Sequence, residues 1–325
     1  MVWFCLALAA PAFVIAGAGC ALMLRVSSKH GLYDFSGSEP HKRHNGPVPN
    51  TGGVGIVWGV VLPMAALLGL AWLLEPAHTG RAELVAGMRA MTRGGAVLIA
   101  ALLALHVVGV IDDRRPLPAG VKLLMQALAA LAVVWFADTR VLELLDAALP
   151  GGYLLSMVLS VLWIVVITNA FNMLDNMDGL SAGVGAIAAA IFLAAALLAG
   201  QWFVAGAAAL LLGVLLGFLC FNFPPATLFM GDGGSLVLGF LLSVIAVQTT
   251  YAPQGVAGRA YALLTPLVVL AVPLYDLVSV VWIRLRQRKP PWVGDTQHFS
   301  HRLVKLGLSR RRAVADPTAR RTAVA

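Results

Sequence analysis

The chain has 325 residues, of which 60% are apolar and 12% charged, and its mean hydropathy is +0.86. Soluble domains carry about 25% charged residues, so a soluble globular fold is excluded. The net charge of +8 falls beside apolar segments and mostly after residue 283. Membrane topology and attraction to anionic headgroups explain that placement better than nucleic acid does.

Nine apolar stretches are long enough to cross about 30 Å of hydrocarbon as helices. They cover residues 2–24, 54–74, 94–111, 121–137, 153–171, 180–199, 202–221, 233–250 and 260–283. The fold class expected is all-α, a polytopic integral membrane protein with about nine transmembrane helices. The first span has no basic residue before it and Arg25 and Lys29 after it, as in a retained anchor rather than a cleaved signal peptide. With the N-terminus outside, 18 of the 23 lysines and arginines lie on the inner segments 25–50, 112–122 and 284–325. The positive-inside rule selects that orientation. Cys5, Cys20 and Cys220 are scattered within spans and support neither a disulfide framework nor a zinc site.

The first inner segment, 25–53, is rich in glycine and proline and reads as an ordered loop. It carries His41-Lys42-Arg43-His44, then Pro47-x-Pro49 and Gly52-Gly53. Segments 75–93 and 138–152 are read as outer loops, and periodicity does not decide the form of Val141–Leu145. Residues 1–312 are expected to form one transmembrane domain, with 313–325 a disordered tail. No internal repeat is visible.

Five aspartates then stand at the inner ends of spans, where a carboxylate near the bilayer marks a functional site by default. Asp112 and Asp113 close the third span. Their mutual repulsion is relieved by a cation, which makes the pair a metal site or a poised proton acceptor. A solvated turn paired to Arg114 and Arg115 is the plainer alternative. At the end of the fifth span, Asn169, Asn172, Asp175 and Asp178 recur every third residue before Gly179. On a continuing helix, Asn172, Asp175 and Asp178 would share one face. Three oxygen donors on one face suit magnesium, although Asn and Asp also cap helix ends. The string Gly231-Asp232-Gly233-Gly234-Ser235 opens the eighth span. Glycines at a helix start can bring N–H groups to a phosphate, while Asp and Ser are equally ordinary N-caps. Beyond the ninth span, His298 and His301 are spaced to share a helix face, followed by Arg302.

Taken in order from about Gly31 to Ser309, these motifs resemble the polyprenyl-phosphate N-acetylhexosamine-1-phosphate transferases. That family contains phospho-N-acetylmuramoyl-pentapeptide transferase and the undecaprenyl-phosphate N-acetylglucosamine-1-phosphate transferases. The resemblance matches the basic loop to Lys42–Gly53, the double aspartate to Asp112 and Asp113, and the Asn/Asp run to Asn169–Gly179. It implies Mg²⁺, with Mn²⁺ as the substitute, on Asn172 and Asp232. The late histidine cluster matches His298, His301, Arg302 and Leu303, with Ser300 where many members have histidine.

The activity so implied moves an N-acetylhexosamine 1-phosphate, in the first instance GlcNAc 1-phosphate, from a UDP-sugar to a polyprenyl (undecaprenyl) phosphate. UMP leaves, and the lipid product serves cell-envelope polysaccharide or lipopolysaccharide synthesis. Asp112 or Asp113 is expected to bind or deprotonate the lipid phosphate, with Asp175 and Asp178 orienting nucleotide sugar and metal. Lys42, Arg43, His44, Asn169, His298, His301 and Arg302 are expected to bind substrate. The location implied is the bacterial inner membrane with the active site cytoplasmic, among membrane lipid and without nucleic acid; a homodimer is left open. The alternative is a secondary transporter or lipid flippase using the same acids for ion coupling.

Overall fold

The computed structural model describes residues 1–30, 33–34, 48–74, 82–143, 145–249 and 260–290. Twelve helices appear among them. Helix α1 runs Val2–His30, α2 Gly52–Leu73, α3 Ala82–Ala90, α4 Thr92–Arg114, α5 Ala119–Phe136 and α6 Leu145–Ala148. They are followed by α7 Gly152–Leu174, α8 Leu180–Leu198, α9 Trp202–Asn222, α10 Asp232–Gln248, α11 Ala260–Val269 and α12 Ala271–Arg286. The only strands among the described residues are β1 Tyr33–Asp34 and β2 Val48–Pro49, antiparallel with Tyr33 opposite Pro49.

Among the described residues, seven helices are long and apolar enough to cross a membrane: α1, α2, α4, α5, α7, α8 and α9. The chain is a multi-pass, all-helical membrane protein, but the expected count of nine is not reproduced. Helix α10 has 17 residues, spanning about 25 Å at 1.5 Å per residue. The ninth expected span divides at Leu270 into α11 and α12. Pro273 enters the first turn of α12, where its missing N–H is harmless, and cannot continue α11. Two loops also differ from expectation. Helix α1 extends to His30, past the predicted end at 24, and the segment 75–93 contains the nine-residue α3.

Helix α10 is the central post. Every residue from Gly233 to Ala246 is buried, packed among α4, α7, α2 and α8. A helix that is apolar on all sides is stable only when enclosed, and here neighbouring helices do the enclosing. On one flank α1 packs against α9 and α2. Arg89 on α3 closes the C-terminal end of α2 by donating from Nε to the Ala71 carbonyl at 2.7 Å and from Nη2 to that of Leu74 at 2.8 Å. Those are carbonyls that a helix C-terminus leaves unpaired, and a cation there also suits the helix dipole.

Chain direction alternates through the bundle, so one end gathers the C-termini of α4 and α7 and the N-termini of α2, α5, α8 and α10. That end carries the aspartates.

Candidate active site

The α4 C-terminus and the α10 N-terminus, 119 residues apart in sequence, meet directly. The Asp113 carboxylate accepts the Asp232 N–H at 2.9 Å on Oδ1 and the Gly233 N–H at 3.1 Å on Oδ2. It therefore caps α10 from another helix, satisfying two of the four donors a helix N-terminus exposes. Asn50 donates a third hydrogen bond to Asp113 Oδ1 at 3.1 Å. The anion at this helix start is the protein's own carboxylate, so those two glycine-string amides are not free for phosphate.

Close approach is a condition of this contact. A Cβ on Gly109 would lie 2.5 Å from the Asp232 carbonyl carbon and oxygen and from the Gly233 nitrogen. All three are backbone atoms, so α4 and α10 would have to separate. Gly109→Ala is expected to destabilise the protein by about 1–3 kcal/mol through overpacking. A melting temperature a few degrees lower in detergent checks it, and an unchanged one contradicts it.

Asp112, one residue before, serves a different purpose. Its Oδ1 accepts the Leu117 N–H at 2.7 Å, closing the turn after α4. Its Oδ2 receives Lys122 Nζ at 2.7 Å, and the same ammonium lies 3.4 Å from Asp232 Oδ2. Lys122, in the first turn of α5, thus bridges carboxylates from α4 and α10. The sequence reading counted it only as an inner positive charge. Arg114 and Arg115, offered there as partners of the pair, are exposed.

Helix α7 stops at Leu174, and Asp175 is its C-cap with φ −76° and ψ 49°. The expected continuation of one helical face through Asp178 therefore fails. The chain turns at Gly179, whose φ of +72° is a left-handed conformation that glycine tolerates best. Asn172 donates to the buried Ser235 Oγ at 2.9 Å, tying α7 to the first turn of α10. Asn169 donates to Gln126 on α5, a buried glutamine, and to the Val165 carbonyl. Asp178 faces elsewhere and accepts the Ala226 N–H at 3.0 Å, holding the segment between α9 and α10.

Asp175 is partly buried, and its carboxyl has no hydrogen-bond partner among the described residues. Burial, then the charges of Asp232, Asp113 and Asp178, push its pKa up to about 8. Four carboxylates, Asp112, Asp113, Asp175 and Asp232, face a single described cation, Lys122. The excess of negative charge and the all-oxygen donor set of Asn172, Asp175 and Asp232 fit a hard divalent ion. Among the described residues, no three His, Cys, Asp or Glu side chains form a ready-made metal cage.

The structure thus gathers Asp112, Asp113, Asn172, Asp175 and Asp232 at one end, with Asn169 a turn deeper and Asp178 to the side. Lys42, Arg43, His44, His298, His301 and Arg302 lie outside the described residues. Sequence reasoning gave no site role to Lys122, Asn50, Gln126 or His106: the first three bond predicted site residues, and His106 bonds the Gly233 carbonyl, while Ser235, read only as part of the glycine string, pairs with Asn172. For Lys122 and Gln126, a spacing of four at the inner end of a span was an available signal.

The family model for glycosyl transferase family 4 matches residues 96–250, from α4 to just beyond α10. A Bacillus subtilis (strain 168) protein named as a probable undecaprenyl-phosphate N-acetylglucosaminyl 1-phosphate transferase is 31% identical over 296 residues. The alignment covers 90% of this chain and 75% of the relative. The chain belongs to this family. A decaprenyl-phosphate N-acetylglucosaminephosphotransferase of Mycobacterium leprae (strain TN) is 33% identical over 293 residues, covering 83% of this chain and 70% of the relative. An undecaprenyl-phosphate alpha-N-acetylglucosaminyl 1-phosphate transferase of Escherichia coli (strain K12) is 28% identical over 305 residues, covering 89% and 73%. The resemblance read from the motifs is borne out, and membership of glycosyl transferase family 4 makes the protein a glycosyl phosphotransferase. The transporter or flippase alternative finds no support among these relatives.

Proposed function

We propose that the protein transfers N-acetylglucosamine 1-phosphate from UDP-N-acetylglucosamine to a polyprenyl phosphate at the cytoplasmic face of a bacterial inner membrane. An oxygen of the lipid phosphate bonds to the β-phosphorus of the nucleotide sugar, and the bond from that phosphorus to the bridging oxygen breaks. UMP leaves with that oxygen, and the product is a polyprenyl-diphosphate-linked sugar. The observation that carries this reading is the meeting of Asp112, Asp232 and Lys122 at one end of the bundle, in a member of this family.

Two anionic phosphates must be aligned and their charge offset, and the protein's part is mostly positioning and electrostatics. Lys122, anchored by Asp112, presents an ammonium to the phosphates. Asp113 and Asp178 are occupied by backbone N–H groups, so they shape the site rather than react. Asp175 is the carboxyl left uncommitted. Asn172, Asp175 and Asp232 would hold Mg²⁺, which supplies charge neutralisation to the transferring phosphoryl group. The basic loop and the late histidines complete the substrate contacts in this reading.

Because Asp175 without a cation keeps its proton up to about pH 8, binding Mg²⁺ must displace that proton. The Mg²⁺ concentration for half-saturation is expected to fall as pH rises from 6 to 8, by up to about tenfold per unit, and to level off above. Stability of the ion-free protein should run the other way. A carboxyl whose folded pKa of about 8 exceeds the ordinary 3.8 costs stability as pH climbs through that window, and Mg²⁺ should restore it. Melting curves with EDTA or Mg²⁺ at pH 6, 7 and 8 check both signs.

The substrate assignment is tested by incubating purified protein with undecaprenyl phosphate, Mg²⁺ and a panel of UDP-sugars. Mass spectrometry should find the diphospho-linked N-acetylglucosamine lipid. No lipid product from any UDP-sugar, with labelled substrate instead crossing proteoliposomes, would overturn the transferase reading.

A further inference from the structure

On α4, His106, Gly109 and Asp113 are spaced three and seven residues from the first, and so line one face. The backbone of Asp232 and Gly233 sits against that face. Asp113 takes the two N–H groups at one side. At the other, His106 Nδ1 lies 2.8 Å from the Gly233 carbonyl oxygen. A carbonyl only accepts, so Nδ1 carries the proton and the ring donates. Gly109 lies between the two, and its missing side chain is what lets the α10 backbone in. Residue Gly233 is thus gripped at both its N–H and its C=O, in the two peptide groups that flank its Cα, by side chains of a single helix.

We propose that His106 is a positioning residue for the transfer reaction. It fixes the peptide after Gly233 through its carbonyl, as Asp113 fixes the peptide before it through its amide, and the two together set the direction in which Asp232 presents its carboxylate. The proposal rests on the reading of Asp232 as a cation ligand. The hydrogen bond acts on the cation through geometry alone, since His106 itself bonds the backbone and not the ion. A ligand whose anchor is loosened binds its ion more weakly.

The test measures Mn²⁺ binding to the purified full chain by electron paramagnetic resonance, alongside KM for UDP-N-acetylglucosamine and the melting temperature. His106→Leu is expected to weaken Mn²⁺ binding about tenfold while KM for the nucleotide sugar stays within about twofold. His106→Asn, which retains a donor near the Nδ1 position, is expected to bind Mn²⁺ within about threefold of the parent. A residue that only packed α4 against α10 would lower the melting temperature and leave the Mn²⁺ dissociation constant of the folded fraction unmoved. That result overturns the proposal. If His106→Leu does not fold, His106→Ala is read against the same values. A parent protein that binds no Mn²⁺ removes the metal reading and this proposal with it, whereas parent and His106→Leu binding Mn²⁺ equally removes this proposal alone.

Discussion

Replacing Asp232 by alanine is expected to lower the rate of sugar-phosphate transfer on the order of 10³-fold, with the fold retained. The fold survives because the contacts that dock α10 on α4 use the backbone N–H of residue 232, which alanine keeps. What goes is the carboxylate that faces Lys122 and, in the proposed reaction, the divalent ion. Two further signs should accompany the loss. Excess Mg²⁺ should not restore the rate, because a ligand rather than occupancy is missing. The melting temperature in EDTA should rise or hold, since one of four crowded carboxylates has been removed. Initial rates at saturating substrates, with and without added Mg²⁺, check the first sign. Near-parental activity in Asp232→Ala, or in the parent protein under excess EDTA, would remove the metal from the account.

Lys122→Met should give the second large effect, and its two readouts should move in opposite directions. The ammonium bridges Asp112 and Asp232 at 2.7 and 3.4 Å, so its loss leaves two carboxylates facing each other without a cation. Transfer is expected to fall roughly 10²–10³-fold, the range for removing one preorganised donor from an oxyanion site. Mg²⁺ should nevertheless bind several-fold more tightly, because the positive charge competing for Asp232 has gone. Lys122→Arg should rescue poorly, since a planar guanidinium does not place a compact charge between the same two oxygens. A rate within twofold of the parent, or weaker Mg²⁺ binding in Lys122→Met, would show that Lys122 is a surface charge satisfied by chance contacts.

The parts of this site visible in the sequence were those written as local strings. The Asn169–Gly179 run carries polar residues at helical spacing inside an apolar segment, and helix α7 does hold Asn169 and Asn172 on its inner turns. The run misled only where helical spacing was carried past Leu174, where the helix ends, Asp175 caps it and the chain goes on to turn at Gly179. That turn sends Asp178 toward Ala226 instead of toward Asp232.

The role of Asp113 was not visible at all. Two adjacent aspartates read as equivalent, yet Asp112 binds Lys122 and a turn amide while Asp113 caps a helix 119 residues away. The difference arises because α4 ends where α10 begins, a tertiary fact with no counterpart in local spacing. Lys122 was hidden for a related reason. Positive-inside topology is a sufficient explanation for any single lysine at an inner helix end, so its pairing appears only once α5 is placed beside α4.

Span counting agrees with the structure where a helix is both long and apolar and differs from it where composition hides an interruption. Residues 260–283 are as apolar as other spans, but Pro266 and Pro273 leave two helices joined at Leu270. The 17-residue α10 was expected as a span like the rest; it is shorter than the seven long apolar helices among the described residues and is buried on all sides within the bundle.

In the proposed reaction the β-phosphorus of the nucleotide sugar, with its sugar attached, moves to the lipid phosphate. The most direct measurement supplies UDP-N-acetylglucosamine labelled in two places, ³²P at the β-phosphorus and ³H in the sugar, to purified protein with undecaprenyl phosphate and Mg²⁺. Both labels should enter the lipid fraction in the ratio of the donor, with one unlabelled UMP released per lipid formed. Tritium in the lipid with ³²P left on UDP would mean sugar transfer without its phosphate, and would contradict the account.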